Sequence, residues 1–350
     1  MDNNKILTFV PKIYFPGAIF FGAKGPVFLK SIEAEKKLVV TTNGFKEKNE
    51  VLVSGLFAGP VEFFYQDREP FADDFDKLKE LCQAGNFNWL VALGGGAAID
   101  LAKLVKVRQG IKMAAIPTTV GSGAEVSQHA VIVENGAKKV YSSQSLLPEA
   151  VIYNHIFLQS LDKEQIVFQS IDALSHALES LVSRMANPLS DSFALLAIQK
   201  IYYYLDNFSN FKNQDEILEN LQIAAFFAGL AQSSAATGLA HSFAHYFGPN
   251  CKISHAQAVA VFLLDVLELN SQKTDKYKKL DQLNDLTSKD SISKLKILFQ
   301  DLKISLPKLK DTGKSLEDIA WAVKKDICTA TNPYSPNTAE LVEIIKKHLQ

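Results

Sequence analysis

The stretch His-Ser-Phe-Ala-His-Tyr-Phe-Gly-Pro-Asn-Cys-Lys-Ile-Ser-His, residues 241–255, carries three of the chain's seven histidines. His241 and His245 are four apart, so on a helix their imidazoles project from one face. His255 follows Gly248-Pro249-Asn250, a turn signal that predicts the chain bending back at that point. Asp172 and His176 repeat the four-residue spacing within Ser-Ile-Asp-Ala-Leu-Ser-His-Ala-Leu-Glu-Ser. With His241 and His255 they offer three nitrogens and one oxygen, a set suited to Fe²⁺ or Zn²⁺ and too rich in nitrogen for Mg²⁺ or Ca²⁺. Read singly, each pair is also the pattern of a helix ion pair or a satisfied core pair. Four such residues on apolar, alanine-rich segments are harder to dismiss, because buried aspartate and histidine need partners.

A second kind of chemistry is written in Leu-Val-Ala-Leu-Gly-Gly-Gly-Ala-Ala-Ile-Asp-Leu-Ala-Lys, residues 90–103. An apolar strand runs into Gly94-Gly95-Gly96 and then into a helix expected to begin near Ala97. That arrangement lets backbone amides and the positive end of a helix approach a phosphate without side-chain obstruction. The spacing is neither the Gly-x-Gly-x-x-Gly of a usual Rossmann fingerprint nor a P-loop, and a plain strand-to-helix turn would look the same. A second loop, Ile-Pro-Thr-Thr-Val-Gly-Ser-Gly-Ala-Glu-Val-Ser at 116–127, offers Thr118, Thr119 and Ser122 hydroxyls after another strand. Two such loops at successive strand ends are what a dinucleotide lying across a sheet edge needs.

The elements that must position these residues change character near residue 160. Before it, β-rich runs at 37–41, 89–93 and 113–116 alternate with turns and helical segments such as 75–83, the pattern of an α/β domain. After Leu161 the chain reads as helices, clearest at 172–185, 190–205, 216–231 and 315–327. We therefore expect an α/β dinucleotide-binding domain over 1–160 and an all-α metal-binding and catalytic domain over 161–350. A chain of 350 residues, 47% hydrophobic and 21% charged, can build such cores. The net charge of -1, with lysines and arginines scattered among acids, argues against a nucleic-acid partner. Cys82, Cys251 and Cys328 are odd in number and far apart, which disfavours a disulfide framework or a thiolate zinc site. No run of eighteen apolar residues occurs and the start lacks a basic flank before a long apolar segment, so a soluble cytoplasmic protein without a membrane partner is the expectation.

Together these motifs resemble the iron-containing (group III) alcohol dehydrogenases. The resemblance rests on Gly94-Gly95-Gly96 with Asp100 and Ala102-Lys103, on Ile116 to Thr119 with Gly121 to Glu125, and on Asp172/His176 followed by His241/His245/His255. It extends from Phe21-Gly22 through Pro148 and Val151-Ile152 to Asn332-Pro333. It implies a Rossmann-like α/β domain followed by a helical domain of the type shared with dehydroquinate synthase. It implies that Asp172, His176, His241 and His255 bind Fe²⁺ or Zn²⁺ and that His245 is an additional active-site histidine. NAD or NADP would lie on Gly94, Gly95, Gly96, Asp100, Thr118, Thr119 and Ser122, with the family's cofactor lysine falling on Lys138 or Lys139. Glu179 shares a face with Asp172 and His176 and reads as a supporting residue.

Ala97 and Ala124 stand where serines are common in the family, and Asn154 where an aspartate is frequent. Thr42 falls near a frequent ribose-binding aspartate, which leaves NAD against NADP open. The implied activity is hydride transfer between the nicotinamide and a metal-bound alcohol or carbonyl, with a small alcohol or aldehyde as substrate and a homodimer as the assembly. Alternatives are a larger polar substrate such as phosphonoacetaldehyde or an octulosonate-type sugar acid, a dehydroquinate-synthase-like lyase, and a nucleotide-binding scaffold without activity. The lyase would need basic residues converging on a substrate phosphate, whereas the segments around the proposed ligands carry mainly Ala, Ser and Phe.

Overall fold

The computed structural model describes residues 12–32, 36–57, 59, 61–134, 137–209, 213–283, 285–310 and 312–349. The chain clusters into two units, Tyr14–Asp162 with Asn213–Ile223, and Lys163–Lys212 with Ala224–Gln350. The change of character expected at 160 thus falls at Asp162. The segment 213–223, expected with the helical part, goes with the α/β unit.

In the α/β unit, β1 (Ala18–Phe21), β2 (Lys37–Thr41), β3 (Val61–Tyr65), β4 (Trp89–Gly94), β5 (Lys112–Pro117) and β8 (Ala150–Tyr153) form a parallel sheet in the order β1-β8-β5-β4-β2-β3. β6 (His129–Glu134) and β7 (Ala137–Ser142) form a separate antiparallel hairpin. All of β2 and β4 is buried, which is why these strands read as continuous apolar runs and not as alternating ones. Val39, Val91, Leu93, Ala114, Ile116 and Ile152 pack with Trp89 and Phe157 in one core. The helices of this unit are α1 (Val27–Ser31), α2 (Asn43–Lys48), α3 (Glu50–Leu56), α4 (Ala72–Gly85) and α5 (Gly96–Gln109). The registers Leu93↔Ile116 and Gly94↔Pro117 bring both glycine-bearing loops out at the same carboxyl edge of neighbouring strands.

The helical unit holds α6 (Lys163–Val182), α7 (Pro188–Asp206), most of α8 (Gln214–Ala235), α9 (Leu239–Cys251), α10 (His255–Ser271), α11 (Ser291–Asp301), α12 (Leu316–Lys325), α13 (Ile327–Thr331) and α14 (Thr338–His348). α6 begins nine residues before the expected start at 172, because Ile166, Val167 and Phe168 continue its buried face. Almost every residue of α6 from Ile166 onward is buried, polar ones included. The turn expected at Gly248-Pro249-Asn250 is helix instead, with Pro249 inside α9. Proline in a last turn forfeits only one intrahelical hydrogen bond, so the helix runs on to Cys251. The reversal comes at Lys252, in the left-handed region at φ 56°, with the Ile253 N–H donating to the Gly248 carbonyl at 3.1 Å. Ser254 then caps α10 reciprocally with Gln257, making His255 the first residue of that helix.

Candidate metal centre and nucleotide loops

Three helices bring the four expected donors together. Asp172 and His176 lie one turn apart on α6, His241 on α9 and His255 at the start of α10. Asp172 Oδ1 stands 3.9 Å from His176 Nε2, 3.7 Å from His241 Nε2 and 3.8 Å from His255 Nε2. These separations are too long for hydrogen bonds. Donors about 2.1 Å from a shared tetrahedral cation are themselves roughly 3.4 Å apart; the donor atoms of Asp172, His176 and His241 all lie within 4.8 Å of one another, and His255 joins them through its approach to Asp172. Asp172 is 5% exposed, and its Oδ1 is buried without a hydrogen-bond partner. A buried carboxylate oxygen facing three imidazole nitrogens is costly unless a cation satisfies it. The donor set fits Fe²⁺ or Zn²⁺.

Glu179, two turns along α6 from Asp172, fixes the orientation of His241. Its Oε2 lies 2.5 Å from His241 Nδ1 and accepts from the Gly238 N–H at 2.8 Å, while Oε1 accepts from the Ala240 N–H at 2.6 Å. One carboxylate thereby satisfies amides at the start of α9 and turns His241 Nε2 toward Asp172. Burial pushes the Glu179 carboxyl up to about 7, against the pull of those two amides. Asn332 completes the clamp, its Oδ1 accepting from the Leu239 N–H at 3.3 Å and from Asn270 Nδ2 at 2.9 Å. A Cβ on Gly238 would sit 3.0 Å from both Asn332 Oδ1 and Glu179 Oε1. The Asn332-Pro333 motif was visible in the sequence, but its connection to α9 was not.

His245 has a different partner. Its Nδ1 is 2.9 Å from Asp326 Oδ2, and its ring lies 5.7 Å from that of His255 and 6.5 Å from that of His241. Asp326 Oδ1 accepts from Ser242 Oγ at 3.0 Å and from the Cys328 N–H at 2.9 Å. Burial works against this carboxylate, but the bonds from His245, Cys328 and Ser242 outweigh it and hold its pKa below the ordinary value. His245, Asp326 and Cys328 are close enough to form a second cluster of metal-type donors. Their hydrogen bonds to each other and to Ser242 and Thr237 make it a polar network. Sequence reasoning missed Asp326 and Ser242, since 81 residues separate Asp326 from His245.

The glycine loops meet at the sheet edge. The Thr118 N–H donates to the Gly94 carbonyl at 3.1 Å. A Cβ on Gly95 would lie 3.0 Å from Thr119 Cγ2, and one on Gly96 3.0 Å from Ser122 Cβ. α5 opens at Gly95 with no side-chain cap and no acid in its first turn, leaving its amides to an external anion. This cradle fits a pyrophosphate. Asp100, expected to touch the cofactor, instead has both oxygens engaged inside the protein. Its Oδ2 accepts from the Val131 N–H at 3.0 Å, and its Oδ1 is 3.4 Å from Lys103 Nζ. Lys103 is wholly buried, donating to the carbonyls of Ala124, at 2.8 Å, and of His129. The pair ties the loop after β5 and the β6–β7 hairpin to α5.

Thr42 caps α2, accepting from the Phe45 N–H at 3.0 Å. Beside it Asp67 accepts from the Asn43 backbone N–H at 2.7 Å and from its side chain at 2.5 Å. Lys138 and Lys139 lie on β7, engaged with Glu69 and Glu134 respectively. Lys138 is also near enough to Asp100, in the helix after the glycine loop, for its charge to favour the ionised carboxylate.

Glycine loops on a parallel sheet and a cluster of three imidazoles with one carboxylate are the equipment of a metal-dependent, nucleotide-linked enzyme. Comparison with known proteins narrows the class. Residues 16–155 match the family described as iron-containing alcohol dehydrogenase, and residues 166–349 match its C-terminal part. An NADPH-dependent butanol dehydrogenase of Clostridium saccharobutylicum is 26% identical over 95% of this chain and 96% of its own length. A probable alcohol dehydrogenase of Salmonella typhimurium is 30% identical over 73% of this chain and 71% of its own. The solved iron-containing alcohol dehydrogenase of Thermococcus thioreducens shares the fold at a TM-score of 0.85, with 24% identity over 96% of this chain and 99% of that one. The chain belongs to the iron-containing alcohol dehydrogenase family.

Proposed function

We propose that this protein interconverts a small alcohol and its aldehyde with NAD or NADP, using a divalent metal held by Asp172, His176, His241 and His255. The observation that carries the metal assignment is the buried, unbonded Asp172 Oδ1 facing three Nε2 atoms at 3.7–3.9 Å. When bound, the cation would supply Lewis acidity at the alcohol or carbonyl oxygen, and NAD or NADP would supply the acceptor or donor of hydride. The chain's own task is orientation. Glu179 aims His241, the bare amides at the start of α5 hold the pyrophosphate, and Thr118, Thr119 and Ser122 edge the same cradle. His245, beside the donor cluster, offers a ring nitrogen to the hydroxyl proton that leaves on oxidation. By the family resemblance Thr42 would lie near the adenosine ribose, and a carboxylate such as Asp67, held beside it by Asn43, would disfavour a 2′-phosphate there.

The family resemblance further suggests a cytoplasmic homodimer, for which light scattering in solution is the check. No single helix among the described residues is long and apolar enough to cross a membrane. The deciding experiment incubates iron- or zinc-loaded protein with alcohols and aldehydes of graded size and polarity. Either cofactor is supplied and the absorbance of the reduced nicotinamide is followed. Turnover of short alcohols and aldehydes supports the proposal. Turnover confined to anionic aldehydes would replace the substrate class, and no turnover with any of them would end the dehydrogenase reading.

A further inference from the structure

We infer that Asp326 is a positioning residue that fixes which nitrogen of His245 is presented to the substrate. This rests on the role given to His245 above. The aspartate sits at the junction of α12 and α13, and its two oxygens divide their duties. Oδ2 meets His245 Nδ1 at 2.9 Å, while Oδ1 is tied by the Ser242 hydroxyl at 3.0 Å and the Cys328 N–H at 2.9 Å. Ser242 Oγ is in turn 2.8 Å from Thr329 Oγ1, so the carboxylate is anchored from α9 and from α13. The Ser242 hydroxyl and the Cys328 N–H both donate to Oδ1, and with the pKa held below its ordinary value they make Asp326 an ionised acceptor.

An ionised carboxylate can only accept, so the hydrogen of a neutral His245 ring must ride on Nδ1. Nε2 is then the nitrogen left with a lone pair. The ring is also held in place, one turn beyond His241 on α9 and stacked 5.7 Å from His255. Nothing in this pairing serves the metal directly, because the Nδ1 edge is occupied by Asp326. Ser242 and Asp326 thus orient a histidine outside the proposed ligand set, much as an aspartate orients the histidine of a hydrolase triad.

The test uses the metal-loaded holoenzyme carrying Asp326→Asn, Asp326→Glu or His245→Ala. Asparagine keeps the size of the side chain and its ability to cap α13, but it can turn an amide N–H toward Nδ1 and reverse the tautomer. For Asp326→Asn we expect kcat to fall on the order of a hundredfold. Metal content and the KM for nucleotide should stay within twofold, and Asp326→Glu should recover part of the loss. Nitrogen-15 spectra of the zinc-loaded protein should show His245 protonated at Nδ1, and this signature should be lost in Asp326→Asn. If Asp326→Asn keeps kcat within twofold, or leaves the His245 signature unchanged, while His245→Ala is impaired, the inference is overturned and the role of His245 stands. If His245→Ala itself turns over normally, the role of His245 falls and the inference with it.

Discussion

Glu179 illustrates how one side chain can serve fold and site together. Its carboxylate accepts two amides at the start of α9 and the Nδ1 edge of His241, so the end of a helix and the aim of a ligand depend on the same atoms. Glu179→Gln keeps one acceptor oxygen but loses the charge. Its metal affinity should fall about ten- to hundredfold with helix content retained, measured by metal titration against a chelator and by circular dichroism. Unchanged affinity would show that His241 is aimed by packing alone. At Gly95 the constraint is steric: even a Cβ would lie 3.0 Å from Thr119 Cγ2. Gly95→Val should therefore weaken nucleotide binding at least tenfold while metal content persists, and calorimetric titration of the folded variant reads both. The four proposed metal donors stood out in the sequence because Asp172 and His176 share an i, i+4 spacing and all four lie in apolar surroundings that left few other uses for them. Asp326 was not, since a lone aspartate beyond a lysine-bearing region carries no periodic signal and its partner lies on another helix.

Among the elements, strands and long helices were legible for a plain reason: continuous burial leaves an apolar run. Where a helix ends was harder to read. Pro249 looked like a stop, yet the chain keeps helical geometry to Cys251 and turns at Lys252, because a last-turn proline costs little and a left-handed residue can follow. That delay is what makes His255 the first residue of α10. The C-terminal helix α14 is pinned by a contact that no motif announces, Asp265 of α10 meeting Lys347 at 2.5 Å and His348 Nε2 at 2.7 Å. Burial raises the pKa of Asp265, but the bonds from His348 and Lys347 prevail and leave it below the usual 3.8. A lowered folded-state pKa means stability that is present above the unfolded value and lost as pH falls through the folded one. Asp265→Asn should thus cost about 1 to 3 kcal/mol at pH 7, and the gap to wild type should close as the pH is taken below about 4. Urea unfolding across that range tests it. A difference that persists at pH 2 to 3 would assign the cost to shape and not to charge.

Taken whole, the chain gives each of its units a ligand to hold. The proposed metal donors come from α6, α9 and α10, so a cation held by them would join α6 to a helix pair far from it in sequence and should stabilise the helical unit by roughly 3 to 4 kcal/mol at 100 to 1,000 times its Kd. NAD should act on the α/β unit through the loops after β4 and β5. Scanning calorimetry with each ligand alone should show an upward shift of the transition. Metal that binds at full stoichiometry without raising the unfolding temperature would mean that the three helices are not joined through it. The placement of Asn213–Ile223 with the α/β unit has a consequence for anyone who would take the protein apart. Asp215 lies 3.2 Å from Gln159 and 3.7 Å from His155, and Gln222 donates to the carbonyl of Pro117 at 3.4 Å. A gene cut after codon 162 would encode the whole parallel sheet yet omit eleven residues that finish it. The nucleotide half is a two-piece object, recoverable by complementation with a synthetic helix and not by truncation.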